Sequence, residues 1–318
     1  MTSTFGRLAS VVLGMALFLV VATASAQKPY VYDFLRSDVS ARASAMGGSF
    51  ITVMNDVSAI YYNPATLNTI DSSQVAFSAF KHLLDINSGS LMFATDISGI
   101  GKTGFGISYN NYGSFQRRDK NGQDVGEFGS SDIIAIAGWG TTLGEGFSAG
   151  VNAKAIFSTI DTYGSSALAL DGGLLYVDTA SRFQAAASIQ NLGGQLSSFG
   201  QSSEPLPVDL RVGVSHQLRG LPLLIALNFS RLLDEQENFI DRFAAFSVGG
   251  EFTLSRPIRL RIGYNNRVRQ DVPIGSSKGL SGFSGGVGIV LKDYRLDYSF
   301  NSLERLGGQH RVTLNAAF

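Results

Sequence analysis

From about residue 74 to the end, the chain alternates apolar and polar positions in segments of roughly ten residues. In Arg256–Tyr264, Ile258, Leu260, Ile262 and Tyr264 share one face, and Arg259, Arg261 and Gly263 the other. Val208, Leu210, Val212 and Val214 oppose Asp209, Arg211, Gly213 and Ser215 in the same way. Tyr294, Leu296, Tyr298 and Phe300 oppose Arg295, Asp297 and Ser299. The last segment sets Val312, Leu314, Ala316 and Phe318 against Arg311, Thr313 and Asn315. A period of two is that of a β-strand with unlike faces. Repeated at this length between Gly, Asn, Asp, Ser and Pro punctuation, it matches a transmembrane β-barrel, whose outside is apolar and whose lumen is polar.

About fourteen segments are expected, near 74–82, 88–97, 103–113, 130–140, 146–159, 167–177, 181–191, 207–218, 222–232, 242–254, 256–267, 281–291, 293–301 and 309–318. Every second connection is short, near 98–102, 141–145, 178–180, 219–221, 255 and 292. Most of the others are longer, at 114–129, 192–206, 233–241, 268–280 and 302–308. Short periplasmic turns and long extracellular loops give this asymmetry, and a soluble sandwich has no reason to keep it. Both ends of the barrel then lie on the periplasmic side.

The 37 glycines suit strands and tight turns better than helices. Lys+Arg and Asp+Glu both number 25, so no net field favours nucleic acid. The absence of cysteine excludes disulfides, thiol nucleophiles, Cys-ligated metals and a lipidated Cys. Ahead of the strands, Arg7, the apolar run Val11–Val21 and Ala24-Ser25-Ala26 read as a secretory signal peptide over 1–26, with Gln27 the first mature residue. The apolar run is shorter than the ~20 residues of a spanning helix. Residues 27–73 read as a partly helical plug or lead-in, and 74–318 as the barrel.

Within 27–73, Asn63-Pro64-Ala65 is a turn initiator, because Pro64 pushes Asn63 out of the helical region. Gly47-Gly48 can supply a tight bend or a positive φ, and Asp56 and Asn63 suit backbone capping. Such a segment inside a barrel must satisfy its polar backbone from the wall or from water. Plug folding and anchoring are therefore expected of Gly47, Gly48, Asp56, Asn63, Pro64 and Ala65. The run from Ser40 through Met46-Gly47-Gly48, continued by Asn55–Leu67 with its Asn-Pro-Ala box, resembles the N-terminal signature of FadL-like barrels. Tyr32–Leu35, Ser40–Ala43, Asn111–Phe115, Asp119–Gly122, Leu260–Asn265 and Gly279–Ser284 resemble the PorV/PorQ family of type IX secretion proteins, and the PorQ branch in particular. The resemblance covers essentially the mature chain and implies a fourteen-stranded barrel with a small N-terminal plug. The terminal Phe318 resembles the assembly signal read by the barrel-insertion machinery.

Candidate chemistry is sparse. His82, His216 and His310 fall on different strands without metal-ligand spacing. Gly146-Phe-Ser-Ala-Gly150 spells G-x-S-x-G but begins a strand, where a nucleophile elbow needs strand, turn and helix. Gly104-Phe105-Gly106 and Gly285-Gly286-Val287-Gly288 lack the following helix that phosphate binding needs, and suit close backbone approach or barrel curvature instead. Arg117-Arg118-Asp119-Lys120 reads as a solvated hairpin tip, and the arginines among 256, 259, 261, 267 and 269 as candidate partners for Asp56. No enzyme activity and no cofactor are expected. The PorQ resemblance implies an outer-membrane type IX secretion accessory that docks a surface component through loops 192–206, 233–241 and 268–280. The alternative is a FadL-like channel for hydrophobic small molecules. Expected partners are outer-membrane lipid, the insertion machinery and a surface secretion component, with no nucleic acid.

Overall fold

The computed structural model describes residues 31–82, 86–200, 202–236, 238–271, 279–303 and 307–318. The expected leader and its cleavage site lie outside them. Fourteen antiparallel strands close into a barrel in which each strand pairs with its sequence neighbours and the last pairs with the first. They are β1 (Gln74–Lys81), β2 (Asn87–Ile97), β3 (Gly101–Arg118), β4 (Asp124–Gly144), β5 (Phe147–Ile160), β6 (Tyr163–Asp178) and β7 (Phe183–Ser197). The return half comprises β8 (Asp209–Gln217), β9 (Leu223–Phe229), β10 (Phe246–Thr253), β11 (Ile258–Asn265), β12 (Phe283–Leu291), β13 (Tyr294–Ser302) and β14 (Gly308–Ala317).

The alternation runs opposite to that of a water-soluble sheet. Leu260 and Ile262 of β11 are exposed and Arg261 between them is buried; in β13, Leu296, Tyr298 and Phe300 are exposed, and Asp297 and Ser299 are buried. Apolar residues outside and polar residues inside suit a bilayer around the barrel. Aromatic pairs stand on the outward face at both ends of the wall: Phe93–Phe318 and Phe147–Tyr176 at one end, and Phe246–Tyr264 and Tyr264–Phe283 at the other. Such girdles mark the two membrane interfaces of a barrel. The first end carries the short connections β2–β3, β4–β5 and β12–β13 and is called the turn end; the opposite one is the loop end.

Two expected loops are partly strand. β3 and β4 run on to Arg118 and from Asp124, so most of 114–129 is a raised hairpin closed by a tight turn. β7 continues to Ser197, into the expected loop 192–206. Backbone pairing needs no apolar side chains, so a ladder can outrun the apolar band that reveals it in sequence. In contrast, β10 begins only at Phe246, because 239–244 coil into a 3-10 helix. The wall is therefore uneven: β4 has 21 residues and β9 has 7.

The chain from Tyr32 to Ile70 fills the lumen. It contains η1 (Asp33–Arg36), α1 (Ala41–Ala45), η2 (Val57–Tyr61) and η3 (Pro64–Thr69). These pieces are short because each is stopped by a turn and held by the wall rather than by its own length. Ser40 caps α1 by accepting from Ala43 N at 3.2 Å, and Gly47 and Gly48 end it at φ +66° and +82°. A side chain at Gly47 would also run into the backbone of Tyr264. Tyr32, Leu35, Met46, Phe50, Ile60, Tyr61, Tyr62 and Leu67 form the buried core, together with lumen residues such as Met92, Ile134 and Ile156.

Candidate functional site

Two sides of the lumen hold this plug in different ways. On the β10–β13 side the contacts are ionic. Arg42 of α1 grips Glu251 with two nitrogens at 2.7 and 2.8 Å and reaches Asp56 at 3.1 Å. Arg261 joins Glu251 to Asp297 at 2.6 and 2.7 Å, and Arg295 joins Asp297 to Asp56 at 2.7 and 2.6 Å. Three arginines and three carboxylates thus alternate in a closed, buried, neutral ring. Asp56 also caps η2, accepting from Ser58 N at 3.0 Å. Burial opposes ionisation of Asp56, but Arg295 and Arg42 outweigh it and hold its carboxyl below the ordinary range. The expected pairing of Asp56 with the 256–269 arginines is thus corrected. Arg261 reaches Asp56 only through Glu251 and Asp297, Arg259 binds the backbone of Ser255 and Arg256, and Arg267 pairs with Asp271.

The Asn-Pro-Ala box sits on the β5–β6 wall. Asn63 caps η3 by accepting from Ala65 N at 3.0 Å, and its amide donates to Ile51 O at 3.0 Å and Leu174 O at 3.1 Å. Pro64 takes the first helical position, where its missing N–H costs nothing. Asn63 and Pro64 press on Gly150 and Gly173, where any side chain would overlap them. Asn68 then donates to Thr141 O and Ala149 O.

On the β6–β8 side the wall itself is interrupted. β7 and β8 pair only from Phe183↔His216 to Gln190↔Asp209. At that point Gln190 and Asn191 together oppose the single residue Asp171 of β6, a β-bulge, with Asn191 at φ +61°. Above it, β7 follows β6 to Ser197, while β8 begins only at Asp209. The bulge is built from buried polar groups. Asp171 accepts from Asn191 N at 2.9 Å and pairs with Lys154 at 2.9 Å; Lys154 donates to Asn191 Oδ1 at 2.9 Å, and Asn191 Nδ2 donates to Pro207 O at 3.1 Å. Gln190 holds Tyr61 O and Tyr62 O of the plug.

The parted wall is stopped by two segments, η1 from inside and residues 202–208 from the loop. Leu206 and Pro207 are buried. Tyr32 lies behind upper β7, its hydroxyl bonded to Ser165 and receiving Gln195 Nε2 at 2.8 Å. The carbonyl of the same Gln195 accepts from Glu204 N at 2.6 Å and Ser203 Oγ at 3.1 Å. One side chain thus ties plug, wall and loop together. Arg36 completes the latch, donating to Val208 O at 3.1 Å and to both oxygens of Asp234. Outside, Leu168, Leu170, Leu192 and Leu196 make an exposed apolar lip along the break.

Lys154, Asp171, Asn191, Gln195, Tyr32 and Arg36 did not stand out as candidates in the sequence. Their signal is faint: Lys154 is the single charge of β5, and Asp171 the single charge in the interior of β6, both at lumen positions. Gly104 and Gly286 face Ile60 and Ala45 of the plug closely, so their reading as points of close backbone approach fits what lies beside them. Ser148 of the G-x-S-x-G run lies within β5. His82 bonds Ser88 and Gln309, and His310 bonds Tyr298 at the loop end. Phe318 lies outward against Phe93, and its N–H donates to Ser73 O at 2.9 Å.

No protein-family profile matches the sequence, nor does any curated protein. Solved structures do share the fold. The toluene transporter TodX of Pseudomonas putida aligns with a TM-score of 0.58 at 14% identity, over 88% of this chain and 96% of that one. The toluene transporter TbuX of Ralstonia pickettii gives 0.56 at 13% identity, over 88% and 98%. A FadL homologue of Pseudomonas aeruginosa gives 0.51 at 11% identity, over 88% and 98%. At these identities the likeness is one of fold alone, a closed antiparallel β-barrel.

Proposed function

We propose that this chain is an outer-membrane channel that passes small hydrophobic molecules sideways through its wall, at the break between β7 and β8. The carrying observation is the break itself: a built bulge, an unpaired strand end above it, leucines outside and a latched plug segment inside. A strand edge left open in a wall exposes unpaired backbone groups, so a barrel without use for an opening would zip it shut. TodX and TbuX, which share the fold, are described as toluene transporters. Apolar cargo suits the outer lip and the Tyr32, Leu35 and Leu206 side chains of the stop. The latched state is closed, and passage requires η1 and residues 202–208 to give way.

Deleting Asn191 tests this reading. The deletion removes the extra residue, so β7 can realign with β6 without turning any side chain to the other face. Cells expressing the intact chain should take up a labelled monoaromatic hydrocarbon or a long-chain fatty acid faster than vector controls. The deletion should return uptake to the control rate while the barrel still assembles. Equal uptake by both forms, or none by the intact chain, would overturn the proposal.

A second reading, the type IX secretion accessory, rests on the PorQ-like motifs alone. Its surface would be the loop-end connections, and Phe318 would serve the insertion machinery. Co-purification from gently solubilised outer membranes tests it: secretion or sortase components, lost on trimming those loops, would favour it over the channel.

A further inference from the structure

We infer that η4 (Phe239–Ala244) is a membrane-seated helix that completes the low side of the barrel by lying in the outer lipid leaflet. The inference rests on the membrane reading given above. β9, β10 and β11 have 7, 8 and 8 residues. At about 3.3 Å per residue and a tilt near 45°, such strands rise about 16–19 Å. The apolar band of an outer-membrane barrel is about 25 Å tall. This wall therefore ends short of the band, whereas β3–β7 do not.

What stands over the short strands is apolar. Phe229, the last residue of β9, lies beside Val212 and Phe246 on the outward face. Phe243 packs edge-on against Phe229 at 5.6 Å, and Phe239 edge-on against Phe243 at 5.6 Å. The aromatic ladder thus climbs from the outward face of the wall onto η4. Its top is bare: Phe239 is 71% and Ile240 77% exposed. Burying two such side chains is favourable, a gain that water withholds and acyl chains supply. The helix is also suited to an interface. Arg242, with Arg231, Arg267, Asp234 and Asp241, lines a polar cavity of about 200 Å³ beside it. Arginines next to an aromatic ridge match lipid phosphates next to acyl chains.

The chain has no cysteine, so single introduced ones report cleanly. The experiment places a nitroxide label at I240C, at L296C in the middle of the outward band, and at V125C on the exposed β3–β4 hairpin. Each full-length variant is reconstituted in bilayers of phosphatidylcholine and phosphatidylglycerol. Collision rates with oxygen and with a water-soluble nickel chelate give depth. Expected is a label at 240 that, like the one at 296, favours oxygen over nickel, with the opposite at 125. A label at 240 matching the one at 125, with 296 still dry, would overturn the inference and leave the membrane reading standing. A wet label at 296 would overturn both.

Discussion

The two halves of the lumen hold one plug by different chemistry. Against β10–β13, α1 and η2 are fastened by an alternating ring of full charges, Arg42, Glu251, Arg261, Asp297, Arg295 and Asp56. Against β6–β8, η1 is fastened by the neutral contacts of Gln195 and Tyr32 together with the buried pair of Arg36 and Asp234. A buried charge cannot leave its partner without facing a large desolvation cost, whereas a neutral hydrogen bond is replaced by water at little net cost. The ring links six such charges, whereas η1 is held by a buried pair and neutral bonds, so the ring is the firmer anchor and the lighter hold stands at the break in the wall.

The largest effect should come from the ring. Arg42→Met strands Glu251 and Asp56 beside fewer cations, and removing one partner of a buried network costs about 3–5 kcal/mol. Protease digestion of the folded barrel should then cut the plug readily, while the strands stay protected. A plug that stays resistant would show the ring to be dispensable. Acid probes the same ring with a defined sign. The folded-state pKa of Asp56 is depressed. Its contribution is therefore present above the unfolded value of about 3.9 and is lost as pH falls through the lower folded value. Plug protection should persist at pH 4–5 and fail only in stronger acid, and Asp56→Asn should start from lower protection and flatten that dependence.

A medium effect is expected at the box. Gly173→Ala drives a methyl into Asn63 and Pro64, an overpacking worth about 1–3 kcal/mol. Chemical denaturation midpoints should fall while the barrel still forms. The smallest, and the most informative about the comparison, is Gln195→Ala. It removes neutral hydrogen bonds worth about 0.5–1.5 kcal/mol each. Hydrogen exchange should quicken over Asp33–Arg36 and hardly change over Ala41–Ala45. Equal acceleration in both would mean that the plug moves as one body, and the distinction between anchor and latch would fall.

How much of this was written in the linear pattern differs from part to part. The barrel, its strand count and the outward faces of β8, β11, β13 and β14 follow from alternation alone, because a strand in lipid must sort its side chains residue by residue. Asn63 and Asp56 stood out as local cappers, and both cap short helices, since capping is settled within a few residues. Strand length at 114–129 and 192–206 is not legible in the pattern, because the ladder continues beyond the apolar band. The break was invisible. A bulge at Asn191 requires Asp171 and Lys154 to arrive from two other strands, and the latch requires Gln195 to meet Tyr32 across the lumen. The closed ring likewise joins charges from the plug and three strands that no spacing rule relates. Near-neighbour sterics and the two faces of a strand are properties of the chain, and they determined the barrel. Which buried charges pair, and where the wall fails to close, depends on groups far apart in sequence that share a low-dielectric interior, and only the tertiary structure decided it.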